Sequence, residues 1–204
     1  PGHVQITEEE EIARVVPVIR KLKKEFDIPV SIDTYKSAVA AAAIEAGADL
    51  VNDIWGLKWD ERLAPLLAKE DVACCLMHNR DNHEYKDFIE DFCSDIEETL
   101  AIAKKAGIKE ERIVLDPGVG FGKNFEQNLS IMKHMDVFSR WGLPILLGTS
   151  RKSVIGLALD LPVDQREEGT AATTVLGRMK GASIFRVKTN YREMKMIEAI
   201  LEAK

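Results

Sequence analysis

The sequence predicts an α/β fold on a parallel sheet, and three observations carry that prediction. Short apolar runs alternate with helical periodicities along the whole chain. The runs lack the polar–apolar alternation of a strand with one wet face, so both faces are expected to be buried, as in a parallel sheet. Nearly every run also ends in a residue able to do chemistry. The chain has 204 residues, whereas a closed (β/α)8 TIM barrel takes about 250. It ends on a helix after its last strand but opens on a helix with no strand before it. The expected architecture is therefore a (β/α)8 TIM barrel with its first two βα units missing, in a single domain over residues 1–204. An open doubly wound sheet is the competing fold.

Each element has a local reason. Thr7 and Glu10 read as a capping box, and Ile12, Val15, Val16, Ile19 and Leu22 follow at helical spacing until Asp27-Ile-Pro29 stops the helix. Pro29 to Asp33 reads as a strand, Lys36 to Ala46 as an alanine-rich helix, and Gly47 as its stop. Asp49 to Asn52 is the next strand. A helix from about Glu61 carries Pro65, which threatens its length. Val72 to Met77 is a third apolar run, and a polar loop at 78–84 leads to a long amphipathic helix ending at Gly107. A strand at 112–116 precedes a helix capped near Asn124. Pro144 to Gly148 is a fifth strand, followed by a short helix and a longer one from about Glu167. Ser183 to Val187 is the last strand, with a helix at 191–203.

Composition narrows the function. The net charge is −6, so no general attraction to nucleic acid or anionic membrane is expected, and any bound anion must be held by local cations. No apolar run reaches the roughly 20 residues that span a bilayer. Cys74, Cys75 and Cys93 show no CxxC spacing and read as reduced thiols in a cytoplasmic protein. The first residue is Pro1, so the gene product is expected to begin earlier.

The most informative stretch runs from Ile113 to Lys123. A strand ends in Asp116, and glycines and a proline then let the backbone approach a ligand, beside the aromatic face of Phe121 and the cation of Lys123. The other strand ends carry Asp33, Asn52 with Asp53, Met77 with His78, Thr149 with Ser150, and Arg186. In barrel enzymes the chemistry sits at such ends. Asp33, Asn52 and Asp116 together suit a flat heterocycle rich in N–H and C=O groups, since a carboxylate accepts from two adjacent donors. Taken singly, each could be only a cap or a turn residue.

Gly148-Thr-Ser-Arg-Lys-Ser153 places hydroxyls and two cations where a helix starts, which favours an anion over a merely solvated turn. Arg186, late in an apolar strand, is expected to need an anionic partner to offset its burial. His78, Asp81, His83 and Glu84 do not have zinc-site spacing and read as a solvated loop, so no metal ligands are assigned. Trp55 and Trp59 read as packing, and Cys74-Cys75 as core.

At this point the chain resembles the dihydropteroate synthase family. Ser31-Ile-Asp-Thr34, Val51-Asn-Asp53, Leu76-Met-His78, Asp116-Pro-Gly-Val-Gly-Phe-Gly122, Ser150-Arg-Lys152, Arg166-Glu-Glu-Gly-Thr-Ala-Ala172 and Phe185-Arg-Val187 follow that family's segments in order. The resemblance implies a barrel, usually a homodimer, and a transferase of folate biosynthesis that is a sulfonamide target. Its reaction joins 4-aminobenzoate to a dihydropterin diphosphate, with magnesium present. It implies that Asp33, Asn52 and Asp116 bind the pterin and that Met77 packs on its ring. Lys152 would reach the pterin carbonyl and the aminobenzoate site, beside Phe121 and Ser153, and Arg186 would hold the diphosphate. Asp116, Lys152 and Arg186 are the catalytic candidates. The family's opening strand, with its magnesium-linked asparagine, is not in this chain. Where the family reads Arg-Val-His-Asp, this chain reads Arg186-Val-Lys-Thr189. Lys188 could pair with diphosphate but lacks histidine's acceptor. The alternative is a pterin-binding module without synthase activity, such as the barrel that carries methyl-tetrahydrofolate to a corrinoid protein.

Overall fold

The computed structural model describes residues 5–188. The helix expected at 191–203 and Thr189 lie outside the described residues. Two compact units emerge: residues up to Met77 with Ser94–Val114, and His78–Cys93 with the residues from Leu115 on.

In the first unit α1 (Glu8–Glu25), β1 (Ser31–Asp33), α2 (Ser37–Glu45), β2 (Leu50–Asp53), α3 (Leu63–Glu70) and β3 (Ala73–Met77) alternate as expected. Thr7 caps α1 by accepting the Glu10 N–H at 3.2 Å. Buried Val16 and Ile19 mark its inner face. β1 pairs parallel with β2, and β2 with β3, through Ile32↔Val51 and Val51↔Cys74. β2 and β3 are buried, with Val51, Cys74, Cys75 and Leu76 fully inside, which is why their sequences show no period of two. In β1 only Ile32 is buried, between exposed Ser31 and Asp33. Pro65 does not shorten α3. It is the third helical residue, where the missing N–H would have had no partner within the helix.

The remaining elements are α4 (Phe88–Ala106), β4 (Ile113–Asp116), α5 (Phe125–Lys133), β5 (Leu146–Leu147), α6 (Ser153–Leu159), α7 (Glu167–Met179) and β6 (Ile184–Phe185). In the second unit β5 pairs parallel with β6. Leu115 meets Ile145 in a single parallel bridge, its N–H donating to the Pro144 carbonyl at 2.9 Å. The fifth strand is thus shorter than the run Pro144–Gly148, because Pro144 can accept in the ladder but not donate. Asn124 and Gln127 form a reciprocal capping box at α5. Phe92, Phe138, Leu115, Ile131, Met135 and Leu147 make the core.

The sheet order is β1–β2–β3–β4, and β5 neighbours β6. Among the described strands the order never reverses. A doubly wound sheet requires such a reversal at its switch point, so the competing fold is set aside.

Candidate active site

The first unit places Asp33, Asn52 and Met77 at the C-terminal ends of successive strands, with Asp33 and Asn52 directly opposite in the β1–β2 register. The three environments differ. Asp33 is exposed, whereas Asn52 and Met77 are buried. Both polar atoms of the Asn52 amide are buried without a hydrogen-bond partner among the described residues. An orphaned amide costs roughly 1–3 kcal/mol, so its retention at a strand end points to a ligand that satisfies it.

Asp53, next in sequence, does something else. Its carboxylate accepts the Trp55 N–H at 2.8 Å and the Leu57 N–H at 2.6 Å, folding the loop around Leu57, which sits at φ 68°. Burial pushes the Asp53 carboxyl above its usual range, the two N–H groups oppose the shift, and the charge of Asp33 adds to it. Burial, then the charge of Asp53, pushes the Cys74 thiol up to about 12, so it is inert core as the sequence suggests. Trp55 and Trp59 pack on each other at 5.3 Å, with Tyr35 on the edge of Trp59.

The second unit gathers the other candidates. Asp116 is buried, and one carboxylate oxygen accepts the Gly118 N–H at 2.7 Å. The other has no partner among the described residues. Burial raises the carboxyl above its ordinary range, against the pull of Lys152, the Gly118 N–H, Arg186 and Lys123 in that order. Lys152 caps α6 by its backbone, and its ammonium donates to the Val119 carbonyl and lies over the Phe121 ring, 4.7 Å from the centroid. Ser153 is the first residue of α6 and exposed. The Lys188 N–H donates to the Ser150 hydroxyl at 3.1 Å, and its side chain is exposed.

Two readings are corrected. Arg186 is exposed rather than buried, although its N–H continues the pairing with β5 by donating to the Leu147 carbonyl at 3.0 Å, so water lowers the cost of its charge. It rests against Gly148, where a Cβ would come within 3.4 Å of the guanidinium. His78 is not part of a solvated loop: it is buried, and its ring stacks on Phe92 with centroids 4.2 Å apart. Among the described residues no His, Cys, Asp and Glu side chains gather in threes as metal ligands would.

Sequence reasoning also missed the supports. Lys123, read as a cation offered by the loop, is only 5% exposed and buried under it. The turn before α6 is tied down by Arg151, whose guanidinium meets Glu167 at 2.6 Å while its N–H donates to the Thr170 hydroxyl. Arg166 donates to the Arg151 carbonyl at 3.1 Å. None of these pairings has a local sequence signature, although Arg166 and Glu167 open the segment Arg166–Ala172 noted above.

Each unit thus carries an orphaned polar group at a strand end, an amide in the first and a carboxylate oxygen in the second, as strand ends that hold a polar ligand would. The pterin binding enzyme family matches residues 1–188, and the chain belongs to that family. It is 58% identical to the dihydropteroate synthase of Clostridium beijerinckii, covering 98% of this chain and 76% of the relative. A crystal structure of the Clostridium difficile dihydropteroate synthase in the presence of pteroic acid superposes with a TM-score of 0.94 at 47% identity, covering 100% of this chain and 79% of that one. A Yersinia pestis dihydropteroate synthase structure with a sulfonamide drug matches with a TM-score of 0.91 at 36% identity, covering 100% and 77%. These relatives put the chain with the dihydropteroate synthases, which are transferases, and its α/β fold with their barrel type. The methyl-carrier alternative gains no support from them.

Proposed function

We propose that the protein condenses 4-aminobenzoate with 6-hydroxymethyl-7,8-dihydropterin diphosphate, giving 7,8-dihydropteroate and diphosphate. The observation that carries this reading is the unsatisfied amide of Asn52, paired in kind with the unsatisfied oxygen of Asp116. A pterin ring offers the N–H and C=O groups that both lack. In this reading Asp33, Asn52 and Asp116 bind the pterin and Met77 packs on it. Phe121, Lys152 and Ser153 receive the aminobenzoate, and Arg186 with Lys188 takes the diphosphate. One domain over residues 1–204 is the economical organisation, supported by a family match that runs unbroken across residues 1–188.

The chemistry suits these groups. The methylene C–O bond breaks and the electron pair leaves with diphosphate. The electron-rich pterin stabilises the resulting cation, and the amine forms the C–N bond and gives up a proton. Such a reaction needs leaving-group charge stabilised and the pterin held still more than it needs a strong base. Asp116 favours the cation electrostatically, while Arg186 and Lys188 favour the departing anion. Magnesium accompanies the reaction in the family, and a hard cation of that kind takes oxygen ligands. Among the described residues no three His, Cys, Asp or Glu side chains gather as metal ligands, and a magnesium would draw its other ligands from substrate phosphate oxygens and water.

Sulfonamides are expected to compete with 4-aminobenzoate. Support for a homodimer comes from exposed apolar residues of the second unit, with Leu157 67% and Met179 79% exposed, and from a groove of about 550 Å³ that includes Leu129 and Leu176. Sedimentation would test it. No helix among the described residues is long and apolar enough to cross a membrane, and three buried cysteine thiols suit a cytoplasmic setting.

The deciding experiment is a coupled assay on the protein as its cell makes it. Dihydropteroate and diphosphate released together are the expected result. Pterin bound with no product from both substrates would overturn the synthase reading.

A further inference from the structure

We propose that Lys123 is a positioning residue whose buried ammonium sets the loop that presents Phe121 and Lys152. The Lys123 Nζ lies 2.8 Å from His78 Nδ1, 2.9 Å from the Phe121 carbonyl and 3.0 Å from the Gly118 carbonyl, with the His78 carbonyl farther off at 3.4 Å. An ammonium has three protons, and the three nearest acceptors can take one each. The Phe92 ring lies 5.6 Å from the Nζ and the residue is buried, so the charge is compensated inside the protein rather than by water.

Two lysines thereby divide the carbonyls of one loop. Those of Gly118 and Phe121 turn inward to Lys123, while the Val119 carbonyl between them turns to Lys152. With the inward pair held, the Phe121 ring faces the Lys152 ammonium. Tyr85 adds to the clamp, its hydroxyl donating to the Gly122 carbonyl at 2.7 Å. An ammonium has no acceptor, so a charged Lys123 requires His78 Nδ1 to be unprotonated, with the ring proton on Nε2. The stacking of His78 on Phe92 keeps the ring in the orientation this requires. Lys123 touches no reacting atom in this account and acts only through Phe121 and Lys152.

The inference rests on the reading of Phe121 and Lys152 as the aminobenzoate side, and its test has two arms. In steady-state kinetics, K123M is expected to raise the KM for 4-aminobenzoate about 10-fold, the loss typical of removing a supporting contact, while the KM for the pterin diphosphate stays near wild type. Unchanged values, or both rising together, overturn the proposal. If K123M does not fold, H78F carries this arm, because it removes the ring-nitrogen acceptor and keeps the stack. It is expected to show the same one-sided rise, and unchanged or jointly raised values overturn the proposal. The second arm is NMR on the wild-type protein and on the folded variant. The proposal expects an unprotonated His78 Nδ1 in the wild type and displaced amide signals at Gly118–Gly122 in the variant. A protonated Nδ1, or unmoved loop signals, overturns it. A wild type that makes no dihydropteroate would sink the synthase reading instead, and the NMR arm alone would then decide this one.

Discussion

Asn52 and Asp53 are neighbours on β2, both buried, and only Asp53 is satisfied by the protein itself. Adjacent strand residues point to opposite faces, so the two answer to different demands. Asp53→Ala strands two backbone N–H groups and is expected to cost about 2–4 kcal/mol by denaturant unfolding. Asn52→Ala removes groups that had no partner, so its stability should stay within about 1 kcal/mol of wild type. Its pterin affinity should nevertheless collapse. Calorimetric titration with a pterin beside urea unfolding measures both halves, and an Asn52→Ala protein that binds pterin normally would remove Asn52 from the site.

Asp116 predicts a pH dependence. Burial is the largest influence on its carboxyl and raises it above the ordinary 3.8, only partly countered by Lys152, Gly118, Arg186 and Lys123. A carboxylate accepts two hydrogen bonds from a heterocycle, whereas the protonated acid loses part of that capacity. Pterin affinity should therefore weaken as pH falls, with a midpoint above that ordinary value. Asp116→Asn should bind poorly at every pH and lose this slope. A wild-type affinity flat through the mildly acidic range would show that Asp116 does not meet the ligand.

The parts of the molecule that were legible in the sequence are those with local causes. The strands β1 to β4 were read from short apolar runs, and Asp33, Asn52, Met77 and Asp116 stand at their ends as expected. Asn124 announced α5 by a cap and a partner three residues on. What was missed depends on residues far apart in sequence. His78 and Lys123 meet across 45 positions, and nothing near either distinguishes a buried lysine from an exposed one. The exposure of Arg186 is equally illegible, since its N–H still bonds to the Leu147 carbonyl and the apolar run around it gives no sign that its side chain faces out.

Asp60 is a second long-range support, and its effect on stability should change with pH in a defined direction. α2 has no side-chain cap of its own; the Asp60 carboxylate supplies one by accepting the Ser37 N–H at 2.9 Å, across 23 positions. Arg62, donating to both carboxylate oxygens, holds the carboxyl well below the usual carboxylate range, and the Ser37 hydroxyl and N–H help. A folded-state pKa depressed in this way contributes stability above the unfolded value of 3.8, and the contribution is lost as pH falls below it. Asp60→Ala is expected to cost about 1 kcal/mol near neutrality, as the loss of a helix cap does. The difference from wild type should shrink in stronger acid. A penalty that grew on acidification would contradict the assignment.

Gly122 and Gly107 separate backbone strain from steric exclusion. Both hold a left-handed φ, +53° and +89°, so alanine at either costs about 1 kcal/mol for conformation alone. At Gly107 an added Cβ meets nothing within 4 Å, and Gly107→Ala should show only that cost. At Gly122 the Cβ would fall 2.5 Å from the Arg80 backbone nitrogen and 2.8 Å from its carbonyl oxygen. Backbone cannot rotate aside as a side chain can, so the loop from Gly118 to Lys123 must move. Gly122→Ala is therefore expected to destabilise the fold by roughly 3 kcal/mol or more and to displace Phe121. Thermal unfolding of the two variants checks the ranking, and sulfonamide affinity reports on Phe121. Equal melting temperatures would mean that the Arg80 segment yields freely, and an unchanged sulfonamide affinity would mean that Phe121 does not depend on it.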